Sequence, residues 1–379
     1  MQQSLTIIGS GMAAYTLARE WRKRDTTSPL TIITADDGAS YSKPMLSAAF
    51  AQQKTPAMLA QASAEQMAAQ LQANILPHTQ VTQIDVAQHS LQANGQSLSW
   101  QRLVLATGAD TLNPQLTGDA ANHVLSVNSL QDYARFRGAL ENVRHVTLLG
   151  GGLIGCEFAN DLATAGYPVT VVHAGNWPLD RSIPEVAGKQ MVHALNRLGV
   201  DYRLQRRAKS VHQHANQFSI TLDNGETFTT DLVVSAIGLK PRTALAVSAD
   251  IAINRGILVD EHLRTNIPDI YALGDGAELN GQLLPFVQPL LTQARALAAT
   301  LAGDPTPVRY PVMPVIVKTP AYPIALVTPP VKSEWQWHID TQPNAIYAAQ
   351  RDADDRLLGF VLTGSAAAER AGWLKQLNT

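Results

Sequence analysis

The stretch IIGSGMAA at Ile7–Ala14 decides the fold, because it places a glycine-rich turn between an apolar run and a helical pattern. Gly9 permits a tight bend, Gly11 lets the backbone approach a pyrophosphate, and Ala14 is a small residue where a third glycine is usual. N–H groups at the start of the helix would hold the phosphates. This first glycine turn (Gly9–Ala14) predicts a dinucleotide site, although a generic tight turn is the alternative for one such motif alone.

The same kind of turn recurs in LLGGGLIG at Leu148–Gly155. Gly150, Gly152 and Gly155 complete the GxGxxG pattern there, again after an apolar run and before a helical one. We call Gly150–Gly155 the second glycine turn. Two such turns in one chain predict two dinucleotides, and therefore electrons that pass from one to the other.

The elements around the two glycine turns follow one duplicated order, which predicts two Rossmann-like domains. The first copy is predicted as strand 4–8, helix 12–24, strand 30–34, a helical stretch 56–74, a meander at 79–85, 89–93 and 96–99, and a buried strand from 103. The second copy is predicted as strand 145–149, helix 153–165, strand 169–172, a meander at 209–213, 217–222 and 226–229, and a buried strand from 232. A helix is predicted near 287–302, and the segment after residue 310 is predicted to form a separate α+β unit.

The composition limits the class of protein. The chain has 379 residues, 45% hydrophobic and 16% charged, with a net charge of −2, which is typical of a soluble globular protein and gives no argument for nucleic acid. No apolar run approaches the roughly 20 residues of a membrane helix, and the early first strand leaves no room for a signal peptide. The single cysteine, Cys156, fits a reducing cytoplasm, so we expect a cytoplasmic protein without membrane insertion.

The ends of the second strands hold the residues that would face the adenosine ribose. Asp36 lies at that point in the first copy and is the candidate acceptor of ribose hydroxyls, with a surface aspartate as the alternative. His173 lies there in the second copy, and the segment HAGN at 173–176 supplies neither a carboxylate nor an arginine. The lack of a cation for a 2′-phosphate favours NADH over NADPH.

Further motifs complete a recognisable set: ATG at 106–108, AIG at 236–238 followed by Pro241, and TNIPDIYALGD at 265–275. Together with the glycine turns they resemble the FAD-dependent pyridine-nucleotide oxidoreductases over essentially the full length. Within that family the segments SYSKPMLS at 40–47, LIGCEFANDL at 153–162 and VIVKTP at 315–320 are most similar to the rubredoxin-reductase branch. Ala48–Ala49 stands where many ferredoxin-reductase relatives have a lysine, which also favours the rubredoxin branch.

The resemblance implies the fold and its division into domains. The fold class is α/β, with two Rossmann-like dinucleotide-binding domains of the glutathione-reductase-like, three-layer ββα type and a small α+β C-terminal domain. The implied domains are an FAD-binding domain at 1–113 and 240–310, an NAD(P)H-binding domain at 114–239, and a C-terminal domain at 311–379 that covers the flavin.

The resemblance also implies the cofactors, FAD in the first copy and NADH in the second, and a set of cofactor-binding residues without a separate catalytic residue or metal. The set comprises Gly9, Gly11, Ala13 and Ala14 at the FAD pyrophosphate, Asp36 at its ribose, Val81 at the adenine, Asp275 at the ribitol or pyrophosphate, and Lys43, Val287 and Lys318 near the isoalloxazine. Ser10, Met12, Thr107 and Gly108 are further cofactor-binding residues, and Gly150, Gly152, Gly155 and Glu157 lie on the nicotinamide-nucleotide side.

Several of these residues also have ordinary structural interpretations. Asp275 is placed to cap a helix, Lys43 is placed as a solvated loop lysine, and Lys318 is placed as a charge that protects a sheet edge. Glu157 is expected in a first helical turn, where the helix dipole favours an acid, and its functional interpretation is a contact near the nicotinamide or with Lys43.

A lone cysteine excludes the thiol chemistry of the disulfide reductases in this family, so the flavin would deliver electrons directly to an acceptor. The resemblance implies an NADH:rubredoxin oxidoreductase, in which FAD takes hydride from NADH and passes single electrons to rubredoxin iron in a transient complex. One alternative is an NADH-dependent reductase of a [2Fe–2S] ferredoxin or a flavorubredoxin. Another is a redox-sensing protein that binds FAD and NADH.

Overall fold

A computed structural model describes residues 4–328 and 336–377. The chain forms two compact units. The first unit comprises the described residues up to Lys43, together with Ala57–Asp110 and Leu239–Tyr310, and the second comprises Pro44–Pro56, Thr111–Gly238 and the described residues from Pro311 onward. The outer limits of the predicted domains, residues 1 and 379, lie outside the described residues, and the predicted domain division stays a prediction.

The first unit is built on a parallel sheet whose strand order is Ile270–Ala272, Arg102–Leu105, Leu5–Ile8, Leu30–Ile33 and Asn74–Leu76. Successive side chains of a strand point to opposite faces, so each strand contributes to two cores. Ile7 and Ile32 pack on one face with Leu17, which lies on a helix, whereas Ile8 and Ile33 pack on the other face.

Helices cover one face of this sheet and a meander covers the other. The helices are Met12–Arg22, Ala64–Leu71 and Val287–Leu301, and the antiparallel meander is Val81–Asp85, Ser90–Ala93 and Gln96–Ser99. Ile84 and Leu91 of the meander belong to the same buried cluster as Ile8. The result is the three-layer ββα arrangement that the family resemblance implied.

The second unit repeats this plan with a parallel sheet of strand order Val200–Leu204, Val169–His173, Val146–Leu149 and Leu232–Ser235. Its helices are Leu130–Ala139, Leu153–Thr164 and Glu185–Asn196, and its meander is Ala208–His214, Gln217–Leu222 and Thr227–Thr230. Leu149 and Val172 of the sheet pack with Val211 and Ile220 of the meander.

The second unit also contains an antiparallel sheet at the C-terminal end of the chain, with the strand order Val315–Val317, Ile324–Val327, Leu357–Gly364, Ala345–Arg351 and His338–Gln342. The helix Arg370–Leu377 packs on it through Trp373, whose ring lies 5.8 Å from that of Phe360 and 6.2 Å from that of Tyr347. The α/β fold with a small C-terminal α+β part is therefore confirmed.

Short elements complete the structure. The strands are Ser40–Tyr41, Ala60–Ala62, Ala109–Thr111, Leu239–Pro241, Ile257–Val259 and Ala277–Leu279. The short helices are Pro56–Leu59 and Ala244–Val247, and the 3₁₀ helices are Lys43–Ala48, Ala121–His123, Gly274–Gly276 and Ser365–Glu369. Among the described residues, none of the helices combines the length and the apolar composition of a membrane span.

The helical stretch predicted at about 56–74 is interrupted by a short strand. The helix Pro56–Leu59 is followed by the strand Ala60–Ala62, and a new helix begins after Ser63. Ser63 forms a capping box, because its hydroxyl accepts the N–H of Gln66 at 3.2 Å while the side chain of Gln66 accepts the N–H of Ser63 at 2.9 Å. The Ala- and Gln-rich composition favours helix throughout, but the cap and the strand pairing with Ser40–Tyr41 interrupt it.

Candidate functional site

The first glycine turn connects the strand Leu5–Ile8 to the helix Met12–Arg22. Gly9 has a φ of +116°, and a Cβ there would lie 2.2 Å from the carbonyl oxygen of Ala106, so the position requires glycine. A Cβ on Gly11 would meet no heavy atom within 4 Å. Gly11 is therefore not required by packing of the protein itself, which leaves space at its surface for a ligand.

At both glycine turns the residue that caps the helix is a glycine, which has no side chain to accept the first N–H groups of that helix. Gly11 caps the first helix and Gly152 caps the helix Leu153–Thr164, and neither cap has a side-chain hydrogen bond. Neither helix has an acidic residue in its first turn. An anion from outside the chain would satisfy these donors and complement the helix dipole, so both turns fit the phosphates of a dinucleotide.

Asp36 and Ser10 are brought together by Thr34 at the carboxyl edge of the first sheet. The hydroxyl of Ser10 donates to Thr34 Oγ1 at 2.9 Å, and the N–H of Asp36 donates to the same oxygen at 3.2 Å. The half-buried Asp36 accepts the N–H of Asp37 at 2.8 Å. Two of the predicted cofactor-binding residues, Ser10 and Asp36, thus share one local network.

The other predicted flavin residues of the first unit lie at the same edge. Gly274 has a φ of +79°, and a Cβ there would lie 2.8 Å from the Cβ of Ala13. A Cβ on Gly276 would lie 3.3 Å from the carbonyl oxygen of Gly108 and 3.5 Å from Thr107 Oγ1. The 3₁₀ turn that carries Asp275 therefore adjoins both the first glycine turn and the ATG motif.

Asp275 is half-buried and stands within electrostatic reach of Lys43. Burial raises the pKa of its carboxyl above the ordinary range, and the positive charge of Lys43 opposes this rise. A carboxylate so placed can accept hydroxyl hydrogen bonds from a sugar-like chain. Its turn is the short Gly274–Gly276 rather than the start of a longer helix.

Asp275→Asn should remove a pH dependence from FAD binding. Hydroxyl donors stabilise the ionised carboxylate, so FAD binding lowers the raised pKa of Asp275, and FAD must bind more tightly as the pH rises through that pKa. Titration of the apoprotein with FAD across the acidic range should show this trend in the parent chain. In Asp275→Asn the FAD affinity should not change with pH, and at neutral pH it should be at least about tenfold weaker than in the parent chain.

The control for this experiment is Asp304→Asn, since Asp304 is an exposed acid of the same unit. It should leave both the affinity and its pH profile unchanged. A pH-independent FAD affinity in the parent chain would contradict the assigned role of Asp275.

Gln293 was not identified from the sequence, and its side chain forms a hydrogen bond with the turn that carries Asp275. Gln293 is 2% exposed, accepts the N–H of Gly274 at 2.7 Å and donates to the hydroxyl of Tyr310 at 2.7 Å. A glutamine among the buried apolar residues of the helix Val287–Leu301 was the available signal. Buried amides are hydrogen-bonded, so this residue positions the turn.

Val81 and Val287 lie at the beginnings of their elements. Val81 is the first residue of the strand Val81–Asp85 and pairs with Ala93. Val287 is the first residue of the helix Val287–Leu301. Their contacts with adenine and isoalloxazine remain predictions.

The second glycine turn has the same internal constraints as the first. Gly150 has a φ of +108°, and a Cβ there would lie 2.5 Å from the carbonyl oxygen of Ala236. A Cβ on Gly155 would lie 2.0 Å from the carbonyl oxygen of Gly150, so only glycine allows the helix to pack this closely on the turn. A Cβ on Gly152 would meet nothing within 4 Å.

Gly152→Ala should therefore separate nucleotide binding from stability. The folded chain has room for the methyl group, so the Tm should stay the same, whereas the methyl would stand where the backbone meets the pyrophosphate. We expect the KM for NADH to rise by about tenfold, equivalent to about 1.4 kcal/mol. Gly138→Ala, on an exposed and equally uncrowded helical site, is the matched control; an unchanged KM in Gly152→Ala would refute the assignment.

Glu157 forms a partly buried ion pair with Lys318 in the second unit. Its carboxylate, in a residue only 5% exposed, accepts Lys318 Nζ at 2.5 Å and the Lys318 N–H at 3.0 Å. The hydroxyl of Ser47 donates to the same carboxylate at 2.5 Å. Glu157 lies in the second turn of its helix, so the prediction that it lies in the first turn is wrong. Lys318 lies one residue beyond the strand Val315–Val317.

The same helix holds two chain segments through a stripe of buried polar side chains. Asn160 accepts the N–H of Ala321 at 3.1 Å, and Asp161 accepts the N–H groups of Phe50 at 2.8 Å and Ala51 at 3.2 Å. Burial raises the pKa of Asp161, and the two amides oppose that rise. With Glu157, these residues recur at helical spacing on one face.

Cys156 is a structural thiol, as predicted. It is fully buried, its Sγ donates to the carbonyl oxygen of Gly151 at 3.4 Å, and burial raises its pKa to about 12. Within residues 4–328 and 336–377, no group of three His, Cys, Asp or Glu side chains is arranged to hold a metal ion. The raised pKa of Cys156 means that the thiolate form, which a redox role requires, is strongly disfavoured.

Comparison with known proteins agrees with this geometry. Residues 3–298 match the family described as pyridine nucleotide-disulphide oxidoreductase, and residues 307–377 match the rubredoxin binding C-terminal domain. A rubredoxin-NAD(+) reductase of Alcanivorax borkumensis is 45% identical over 374 residues, which cover 98% of each chain. A nitric oxide reductase FlRd-NAD(+) reductase of Vibrio vulnificus is 39% identical over 378 residues, covering 100% of this chain and 99% of the other.

Among solved structures, NADH:rubredoxin oxidoreductase from Clostridium acetobutylicum has the same fold, with a TM-score of 0.82 at 19% identity over 99% of this chain and 95% of that one. The family resemblance inferred from the sequence motifs is confirmed by these matches. The chain belongs to the pyridine nucleotide-disulphide oxidoreductase family and ends in a rubredoxin binding C-terminal domain.

Proposed function

We propose that this chain is an FAD-dependent NADH:rubredoxin oxidoreductase. The observation that carries the proposal is the rubredoxin binding C-terminal domain at 307–377, joined in one chain to two uncapped glycine turns and a single, buried cysteine. The rubredoxin-NAD(+) reductase relative, similar along its whole length, supports the same activity. Without a thiol pair, electrons have one route from the flavin, which is directly to an external acceptor.

The residues of the first unit would hold FAD. The first glycine turn would bind its pyrophosphate, Asp36 its adenosine ribose, and Asp275 its ribitol hydroxyls, with Lys43 close to that carboxylate. When bound, FAD supplies the conversion of a two-electron hydride donor into single electrons. The protein groups bind and orient the two nucleotides.

The second unit would bind NADH through the second glycine turn and would hold Lys318 near the isoalloxazine. Glu157 fixes Lys318 through both its N–H and its ammonium group, so the lysine has little freedom to move. A fixed positive charge near a flavin stabilises added electron density on the ring. This assignment of Lys318 is part of the proposal.

The relatives named nitric oxide reductase FlRd-NAD(+) reductase favour a second candidate acceptor, a flavorubredoxin. The two candidates share the rubredoxin-type iron centre as the chemistry at the docking site. A [2Fe–2S] ferredoxin acceptor and a redox-sensing role remain outcomes of the test. We also propose a cytoplasmic location, which the free and buried thiol of Cys156 supports.

A panel of acceptors tests the proposal. The FAD-loaded enzyme is assayed anaerobically with rubredoxin, a flavorubredoxin and a [2Fe–2S] ferredoxin, each with NADH and with NADPH. We expect the highest kcat/KM for rubredoxin with NADH. A preference for ferredoxin would replace the proposed activity, and slow turnover of every acceptor together with tight nucleotide binding would favour the sensing role.

A further inference from the structure

In the second unit, a carboxylate lies at the end of the strand Val169–His173, although the segment 173–176 itself contains none. His173 Nδ1 accepts the N–H of Gly151 at 3.1 Å, so the proton of the neutral ring lies on Nε2. Nε2 faces Asp180 Oδ1 at 3.5 Å. Burial lowers the pKa of His173 and thereby favours the neutral ring, while the Asp180 charge opposes that shift. The carboxylate of Asp180 therefore faces the ring nitrogen that carries the proton.

The backbone returns to the glycine turn immediately before Asp180. Leu179 has a left-handed φ of +60°, and its N–H donates to the carbonyl oxygen of Gly151 at 2.9 Å. A Cβ on Gly175 would lie 2.0 Å from Asp180 Oδ2 and 2.6 Å from His173 Nε2. The carboxylate thus rests directly on the turn that follows the second strand, and its side chain remains 25% exposed.

This is the point where a dinucleotide fold meets the adenosine ribose. A carboxylate there accepts the ribose hydroxyls and repels the additional phosphate of NADPH. We propose that Asp180, positioned by His173, is the acid that selects NADH over NADPH in this chain. The inference rests on the proposed function only in requiring that a nicotinamide nucleotide binds the second glycine turn.

Two arginines near this point would have the opposite effect on a 2′-phosphate. Arg181 is exposed, and its charge contributes to the lowered pKa of His173. The N–H of Arg206 donates to the carbonyl oxygen of His173 at 3.0 Å, while its guanidinium donates to Gln205 at 2.7 Å. Asp180 is favoured as the determinant because its carboxylate adjoins both the His173 ring and the Gly175 backbone.

The test measures binding of ADP-ribose and 2′-phospho-ADP-ribose to the FAD-loaded enzyme by calorimetry. We expect the parent chain to prefer ADP-ribose. The Kd for 2′-phospho-ADP-ribose divided by the Kd for ADP-ribose should fall by at least about tenfold in Asp180→Asn, because the negative charge that repels the 2′-phosphate is removed. His173→Asn retains an acceptor for Gly151 and should shift the ratio in the same direction by less. Asp201→Asn, which removes an exposed acid paired with Arg203 on the neighbouring strand, should leave the ratio unchanged.

An unchanged ratio in Asp180→Asn would overturn the inference. So would a parent chain that binds 2′-phospho-ADP-ribose as tightly as ADP-ribose and loses that binding in Arg181→Ala. FAD content measured for each variant shows that it is folded. Failure of the proposed function is distinguishable, because it would appear as absent rubredoxin reduction with either nucleotide while the fragment-binding ratio remained as predicted.

Discussion

Gly9→Ala is expected to abolish FAD incorporation. The φ of +116° is strained for any residue with a Cβ, and the added methyl would lie 2.2 Å from the carbonyl oxygen of Ala106, a backbone atom of the adjacent strand end that cannot move alone. The turn must therefore shift away from the position in which its N–H groups meet the pyrophosphate. We expect the flavin content of the purified protein to fall by at least about tenfold and the unfolding free energy to fall by about 1–3 kcal/mol.

Two matched glycines separate the causes of this effect. Gly95 in the meander has a φ of +79° with nothing within 4 Å of an added Cβ, so Gly95→Ala carries strain without a clash and should retain FAD. Gly11→Ala carries neither clash nor positive φ, so it should preserve apoprotein stability while weakening FAD binding. Normal FAD content in Gly9→Ala would show that the first glycine turn is not the flavin site.

Glu157→Gln is expected to weaken both the fold and the reaction with NADH. The carboxylate accepts three donors, from Lys318 twice and Ser47 once, and an amide NH₂ would face at least one of them. Breaking a buried ion pair is strongly destabilising, but Lys318 is one-third exposed, so we expect a loss of about 2–3 kcal/mol. Release of Lys318 should also slow flavin bleaching by NADH by at least about tenfold.

The control for Glu157→Gln is Glu185→Gln, which removes the acid from an exposed pair with Lys189 at 2.6 Å. Exposed pairs contribute little, so stability and rate should match the parent chain. Chemical denaturation and anaerobic rapid mixing provide the two measurements. If Glu157→Gln is destabilised but reduced by NADH at the parent rate, the ion pair supports the fold alone.

The strands and helices of both units were predictable because apolar runs and glycine turns are local features of the sequence, whereas their three-layer arrangement was implied by the family resemblance. Ile7 and Ile8 pack on opposite faces of the first sheet, so the apolar run before Gly9 is a strand buried on both faces. The glycine turns were equally readable, since Gly9 and Gly150 have positive φ values that follow from a tight strand-to-helix turn. The break at Ser63 was missed because composition favours helix there and the capping box involves two residues whose role depends on where the helix begins.

The tertiary contacts of the site residues could not be predicted from the sequence. Glu157 and Lys318 are 161 positions apart, and nothing local indicates that their charges meet. Gln293 supports the Asp275 turn across 19 positions. Asp180 directly follows Leu179, whose left-handed conformation the sequence HAGNWPLD does not predict. Such contacts arise from how the chain returns on itself.

The most direct measurement mixes the FAD-loaded enzyme anaerobically with NADH and oxidised rubredoxin and follows both chromophores. Hydride carries two electrons and rubredoxin iron takes one, so the account predicts rapid flavin bleaching followed by reduction of two rubredoxins per NADH. Flavin that bleaches with NADH while rubredoxin is reduced no faster than without enzyme would contradict it.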